Sequence, residues 1–426
     1  MKLNERLEVI YIPTDKFKTG GINIAFCDNL CRERAYKNAL IPMILCRGTK
    51  KHPTSKSISE EFQKLYSADF ATSTEKKGEI QVVQFAADFI EDKYAANYNN
   101  LSEQVVDMLL DIITNPATNK EGTGFKEEYF TQEVKNNNDF IKGMKNDKRA
   151  YAMFRCTQVM CEDENYALYE MGSVEDSQCL SPENLYQYYR EYFLKKTAVK
   201  IFVCCKEEPV WLYEKLKKIF MGTDTAEENT TVKLDLGYCE KIVAEPKIVK
   251  DTFDVTQGKL NIGFRVNVKP DSDEFYALAV CNGILGAGPG SKLFRNVREK
   301  NSLAYYAASR LVRTKGLLIA YSGIEPENYE KTKELIFDQL KEIQQGNVTR
   351  NEYEDTIKMF VNSYNAYKDT VFSIMDFHLG EILMGTDLDI DGFVNKIKSV
   401  TIEDVIKVSH KIIPDTVYFL GPEEEM

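Results

Sequence analysis

The stretch Gly283-Ile284-Leu285-Gly286-Ala287-Gly288-Pro289-Gly290-Ser291-Lys292-Leu293-Phe294-Arg295-Asn296-Val297-Arg298-Glu299-Lys300-Asn301-Ser302-Leu303-Ala304-Tyr305-Tyr306 begins in glycine, passes through a basic segment and ends on two tyrosines. Residues 283–290 hold four glycines and one proline, which interrupt a helix and admit positive φ or the close approach of another backbone. Leu293, Phe294 and Val297 then fall on one side of a helix, leaving Arg295, Arg298 and Lys300 on its polar faces. Tyr305 and Tyr306, set among small residues, read as the strand that follows. The glycine run is no phosphate cradle, because Gly-Lys-Ser/Thr is missing and Lys292 comes after Ser291.

Outward from this stretch the chain repeats itself. Strands are expected at 7–12 and 21–26, an apolar helix at 36–46, and a capped helix opening at Ser57-Ile58-Ser59-Glu60 with Phe62, Leu65 and Tyr66 inward. Strands near 68–74 and 79–86, joined by the charged turn 75–78, precede a helix over 101–113 and a polar loop over 115–124. A helix bearing Tyr129, Phe130 and Val134 follows, then another from Lys148. Ser181-Pro182 starts a helix with a capping serine and proline in the first turn, and a strand at 198–205 and a helix at 210–220 complete the half. Residues 222–233 are almost free of apolar side chains and read as a linker.

Beyond it, Leu260-Asn261-Ile262-Gly263-Phe264 echoes Ile22-Asn23-Ile24-Ala25-Phe26, and Glu352-Tyr353 echoes Glu128-Tyr129. Thr401-Ile402-Glu403-Asp404-Val405 likewise echoes Ser181-Pro182-Glu183-Asn184-Leu185. The offset falls from 238 (Leu260 against Ile22) to 220 (Thr401 against Ser181), which places extra residues in the first copy, mainly in 91–104 and 115–124. Three echoes in one order imply a duplicated domain. Strands come in runs and helices in runs, so the expected fold is α+β: two homologous domains, 1–222 and 246–426 with 223–245 between them, each an antiparallel sheet with helices on one face.

At 426 residues and 43% hydrophobic composition the chain can bury substantial cores. A net charge of −11 argues against nucleic acid or an anionic membrane as the main partner. No apolar run approaches the roughly 20 residues needed to span a bilayer, and the start shows no apolar signal segment, so the cytoplasm is the expected compartment. Ten cysteines show neither zinc-ribbon spacing nor C-x-x-C and read as reduced, structural thiols. His52, His378 and His410 are the three histidines, no two of them close in sequence, and Glu423-Glu424-Glu425 reads as a solvated tail.

The string from Gly283 to Tyr306 resembles the second-domain signature of the pitrilysin/insulinase family of zinc peptidases, which includes mitochondrial processing peptidase. The resemblance implies pairs of α+β domains closing like a clam. It also implies H-x-x-E-H in the first helix, two histidines for zinc and a glutamate for the metal-bound water, followed by Lys/Arg-Gly-Thr. Here the anchor stands as Arg47-Gly48-Thr49, and the motif positions fall on Ala39-Leu40-Ile41-Pro42-Met43. Ala39, Pro42 and Met43 cannot fill the ligand and base roles, so no metal is expected on this chain. The third ligand of the family lies two turns after a first acidic residue; with Glu133 as that residue, the ligand position holds Phe140.

An arginine and a tyrosine seven residues apart, which in the family stabilise the substrate oxyanion, are matched by Arg298 and Tyr305. Gly286, Gly288 and Gly290 resemble the glycine-rich loop of the processing peptidase's non-catalytic subunit, implicated in substrate handling. Phe70, Ala71 and Thr72 fall on the family's substrate-binding edge strand, with Phe70-Ala71 replacing the usual Asn-Ala. The implied function is the non-catalytic subunit of a heterodimeric zinc peptidase, a pseudoprotease inactive alone. It would contribute substrate-binding and oxyanion-stabilising residues in trans to an H-x-x-E-H partner that holds the zinc. The alternative is a peptide-binding or structural paralogue with no part in proteolysis. The expected partners are that homologous subunit and a peptide substrate, with a homodimer possible when the chain is alone.

Overall fold

A computed structural model describes residues 1–96, 100–220 and 232–422 of the chain. The expected linker over 223–231, positions 97–99 of the expected insertion, and the tail Glu423-Glu424-Glu425 lie outside the described residues.

Two five-stranded sheets organise the molecule. The first contains β1 (Leu7–Pro13), β2 (Thr19–Asn29), β3 (Phe70–Lys77), β4 (Ile80–Ile90) and β5 (Ala198–Cys205), in the order β1-β5-β2-β4-β3. The second contains β6 (Lys247–Thr252), β7 (Gly258–Val266), β8 (Ala304–Val312), β9 (Leu317–Ile324) and β10 (Ile412–Gly421), in the order β6-β10-β7-β9-β8. Adding five to each label of the first sheet reproduces the second. In both, the first strand pairs parallel with the last and the other neighbours pair antiparallel. The echoes read in the sequence are therefore one topology used twice: Ile22 to Phe26 lies in β2 and Leu260 to Phe264 in β7. Ser181 and Thr401 each close a capping box at the helix before the last strand of their sheet.

Side chains alternate across each strand, so the two faces of a sheet carry different sets. Ile22, Ile24 and Phe26 on β2 join the large apolar core of the first unit, together with Leu109, Leu185 and Phe193 from its helices. In the second unit Phe264 packs edge-on to Phe337, and Phe419 meets Tyr329, both from the helix Tyr329–Gln344.

The opposite faces take a helix as well, and the chain supplies it unexpectedly. By contact density one unit comprises 1–142, 168–235 and 369–380, and the other comprises 143–167, 236–368 and 381–426. The helix Lys148–Met160 thus belongs with the second sheet, where Ala152 and Cys156 cluster with Tyr418 and Leu420 of β10. Most of the helix Val371–Leu383 belongs with the first sheet. A Cβ on Gly21 of β2 would sit 3.0 Å from Val371 and 3.1 Å from Met375, and Lys77 pairs with Asp376 at 2.9 Å.

In the second unit a buried charge cluster holds the 143–167 segment. Glu164 receives Arg265 at 2.7 Å and Lys315 at 2.6 Å, and pairs with Lys241. Asp415 takes the other side of Arg265 at 3.0 Å. Arg265, Lys315 and Asp415 are buried, and the Glu164 side chain is 8% exposed.

Three local expectations change. The helix expected to open at Ser57 is Ser55–Lys64, capped by Thr54, whose side chain and that of Ser57 serve each other's backbone amides. Tyr66 is exposed instead of inward and lies at positive φ. Residues 283–287 do not break the preceding helix: Gly283–Ala287 is a π-helical turn continuing Glu274–Asn282. Tertiary packing overrides the glycines' propensity there. A Cβ on Gly283 would lie 2.4 Å from Thr356 Cγ2, and one on Gly286 would lie 2.5 Å from Ser309 Oγ and 2.6 Å from the Ser309 nitrogen.

Candidate functional site

In the first unit the positions of the expected metal motif lie on the helix Arg32–Leu45. A buried polar network fixes this helix against the sheet. Asp28 on β2 accepts from Arg34 at 2.7 Å and from Asn38 at 3.3 Å. Asn38 also donates to Gln81 on β4 at 3.0 Å and accepts from Tyr188 at 2.8 Å. Burial raises the Tyr188 and Tyr192 phenols, the latter to about 12, so both are hydrogen-bond donors at neutral pH.

On this fixed helix Ala39 and Pro42 are buried and Met43 packs half-buried on the core. A methyl group and a pyrrolidine ring offer no free lone pair, and a lone, uncharged thioether does not replace the imidazole and carboxylate ligands zinc takes in such a catalytic site. Glu133, on the helix Glu127–Gly143, is buried and already engaged: Arg47 stands 3.5 Å away and Asn136 donates to it at 3.0 Å. Phe140 is 58% exposed. The residues at these positions do not fit a zinc ion. Among the described residues no group of three histidine, cysteine, aspartate or glutamate side chains is placed to hold a metal.

The Arg-Gly-Thr anchor has structural work of its own. Arg47 lies over the Tyr129 ring at 5.5 Å besides facing Glu133. A Cβ on Gly48 would lie 2.4 Å from the Pro53 carbonyl oxygen. Thr49 is fully buried, and its hydroxyl accepts from the His52 amide at 2.9 Å.

Phe70, Ala71 and Thr72 start β3, the outermost strand of the first sheet. Phe70 stacks on Phe62 at 4.7 Å between centroids, Ala71 is exposed, and Thr72 Oγ1 lies 3.9 Å from the Cys46 thiol, which burial pushes up to about 11.

In the second unit the basic segment is itself π-helical, Phe294–Lys300, with Leu293 and Val297 fully buried. Arg298 is exposed and its guanidinium rests over the Phe294 ring at 4.7 Å. Tyr305 is 61% exposed and is the extra residue of a bulge in β8, between Ala304 and Tyr306. A bulge re-aims the side chain at a sheet edge, and β8 is the outermost strand of its sheet. The Tyr305 hydroxyl donates to Glu325 at 2.6 Å, and that hydrogen bond raises the phenol, keeping its proton in place. Gly286 is buried at the base of the glycine run, Gly288 would put a Cβ 2.8 Å from Met359 Sδ, and a Cβ on Gly290 would meet nothing within 4 Å.

Sequence reasoning missed two partners. Glu352 caps its helix through Thr349 as expected, yet it also binds Lys292 at 3.2 Å and Arg295, tying the basic segment to the helix Arg350–Ala366. Glu325 stands twenty residues from the tyrosine it holds, and no spacing rule links the two.

Comparison with known proteins agrees with this geometry. The family described as "Peptidase M16 inactive domain" matches residues 180–360. The chain is 33% identical over 413 residues to the probable inactive metalloprotease YmfF of Bacillus subtilis, covering 97% of this chain and 95% of that one. Among solved structures, a conserved protein from Enterococcus faecalis V583 superposes with a TM-score of 0.89 at 26% identity, over 98% of this chain and 97% of that chain. A peptidase M16 inactive domain from Pseudomonas fluorescens superposes with a TM-score of 0.76 at 17% identity, over 97% and 96%. With its duplicated α+β fold, and with Ala39, Pro42 and Met43 where the zinc motif would stand, the chain belongs to the M16 metallopeptidase family, among its inactive members.

Proposed function

We propose that this chain is the non-catalytic subunit of a two-chain zinc peptidase. In this reading an H-x-x-E-H subunit carries the zinc, and this chain supplies Arg298, Tyr305 and a peptide-binding surface. The observation that carries it is an asymmetry between the halves. The metal positions of the first have lost every donor, whereas the second keeps an exposed arginine and an exposed phenol seven residues apart. A phenol that stays protonated is a hydrogen-bond donor, and a guanidinium is a fixed cation. Both stabilise negative charge as it develops on a substrate carbonyl. Tyr305 must exchange Glu325 for the substrate oxygen, so the two compete for one proton donor.

The test is peptide hydrolysis by the co-purified pair, with assembly checked by gel filtration. Tyr305→Phe and Arg298→Ala should leave assembly intact and lower turnover roughly 100- to 1,000-fold, the usual cost of one oxyanion donor. Lys300→Ala is the control, since Lys300 is exposed; Arg295 is unsuitable because Glu352 holds it. Full activity in both variants would leave a structural or peptide-binding paralogue.

A further inference from the structure

One corner of the second unit gathers positive charge in a chain that is otherwise acidic. Lys259 on β7, Gly323 on β9 and Tyr306 on β8 lie in one row across the sheet. Gly323 is needed there: a Cβ would sit 2.5 Å from the Tyr306 ring, which lies across the glycine. Tyr321, two residues back on β9, has its ring centroid 6.2 Å from that of Tyr306. Arg149, at the start of the helix Lys148–Met160, places its guanidinium 4.6 Å from the Tyr306 ring and 4.9 Å from the Tyr321 ring. The Lys259 ammonium reaches the same Tyr306 ring at 6.0 Å and donates to Gln257. Two cations therefore share one aromatic ring.

Neither makes an ion pair among the described residues. Asp147, the nearest acid on this helix, is occupied at 3.0 Å by the amides of Arg149 and Ala150, as the helix cap. Burial, and next the charge of Arg149, lower the ammonium of Lys259 from its ordinary value. Asp147 offsets this charge in part without pairing with either cation; like charges set side by side are unfavourable, and an incoming anion relieves what remains. Arg149 lies over Tyr306 near the start of β8, an outermost strand whose edge is unpaired among the described residues and suits an extended peptide, and Lys259 lies two strands in along the same row.

We propose that Arg149 and Lys259, floored by Tyr306 and Tyr321, form a carboxylate-binding subsite for a peptide lying along β8. This rests on the peptide-handling role above, but it is read by binding to the isolated chain, whereas that role is read by turnover of the pair. Either can fail alone.

The test uses a chain with Glu423, Glu424 and Glu425 changed to glutamine. These acids follow β10, whose Leu420 pairs with Lys259, and changing them reduces competition from this acidic run. Fluorescence anisotropy compares three fluorescein-labelled heptapeptides of alternating valine and threonine: a free acid, a carboxamide, and a carboxamide with one internal glutamate. The free acid should bind at least tenfold tighter than the plain carboxamide. The glutamate peptide separates the sources: tight binding assigns a side-chain carboxylate as well, weak binding restricts the subsite to a chain terminus. Arg149→Gln and Lys259→Met should each erase the preference without weakening the carboxamide. Equal binding of all three peptides, no binding of any, or a preference that survives both substitutions would overturn the proposal.

Discussion

Glu164→Gln is the sharpest probe of how the 143–167 segment is held. Burial alone would raise the Glu164 carboxyl, but hydrogen bonds from Arg265, Lys241 and Lys315 more than reverse this and hold it at about 2, against an ordinary 4.5. A displacement of that size corresponds to about 3 kcal/mol. Lys241 is about one-third exposed, so solvent screens its share and roughly 2–3 kcal/mol is the better figure. An independent route gives a similar size: removing one partner of a buried ion pair costs about 3–5 kcal/mol, because the remaining charges stay buried. Arg265 would keep the carboxylate of Asp415 and the Met160 carbonyl, and Lys315 would keep the Gly237 carbonyl.

Hydrogen–deuterium exchange read on 148–160 should therefore quicken about 30- to 100-fold in the variant at pH 6, if exchange proceeds by opening of this helix. The sign of the pH dependence is fixed. A carboxyl depressed in the folded state contributes stability that is full above about 4.5 and lost as pH falls toward 2. A protonated glutamate resembles glutamine, so the two chains should converge as the pH drops through that window. Equal exchange at pH 6, or a difference that stays constant down to pH 3, would refute the reasoning.

Other outcomes follow from single contacts. Gly286→Ala should destabilise the second unit by about 1–3 kcal/mol, since the new Cβ would press on Ser309 backbone, whereas Gly290→Ala should be near neutral in thermal unfolding. Protein purified without a histidine tag should contain no stoichiometric zinc by elemental analysis; one tightly held ion per chain would contradict the reading of Ala39, Pro42 and Met43. Asp28→Asn should loosen the helix Arg32–Leu45 by about 1–3 kcal/mol, because it weakens a buried acceptor shared by Arg34, Asn38 and Tyr192; urea unfolding followed by the fluorescence of Trp211, the sole tryptophan, reads this directly.

What was legible in the sequence is what local pattern determines. Ser181 and Thr401 declared their helices through side chain-to-backbone bonds made within four residues, and β5 and the helix Val210–Phe220 fell where their apolar runs placed them. The duplication was legible because both copies kept these signals in order. The π-helical turn over 283–287 was not, because whether a glycine breaks a helix depends on Thr356, Phe360 and Ser309 crowding its side. The cap at Thr54 is hard to read because the familiar capping box has an acid or amide three residues on, and here Ser57 performs that service. Arg298 and Tyr305 were found by spacing, whereas Glu325 and Glu352, which hold Tyr305 and Arg295, lie at separations that no short motif encodes. Nor could periodicity say which sheet the helix after Lys148 would cover, since an apolar stripe records that a helix is buried and not against what.

That last feature reaches beyond stability. The helices Lys148–Met160 and Val371–Leu383 are separated by 223 positions, within the offsets that relate the two copies, so they are the same element of each. Each belongs by contact to the other copy's sheet. The exchange has the topology that two identical single-domain chains would show after swapping an arm, here within one polypeptide. A gene encoding one copy alone would therefore make a protomer that needs a twin to cover its sheet. For the same reason the fused chain resists being divided: a protease that severs 223–231 yields two fragments, each with a helix seated in the sheet of the other, and they should travel through gel filtration as one particle until denatured.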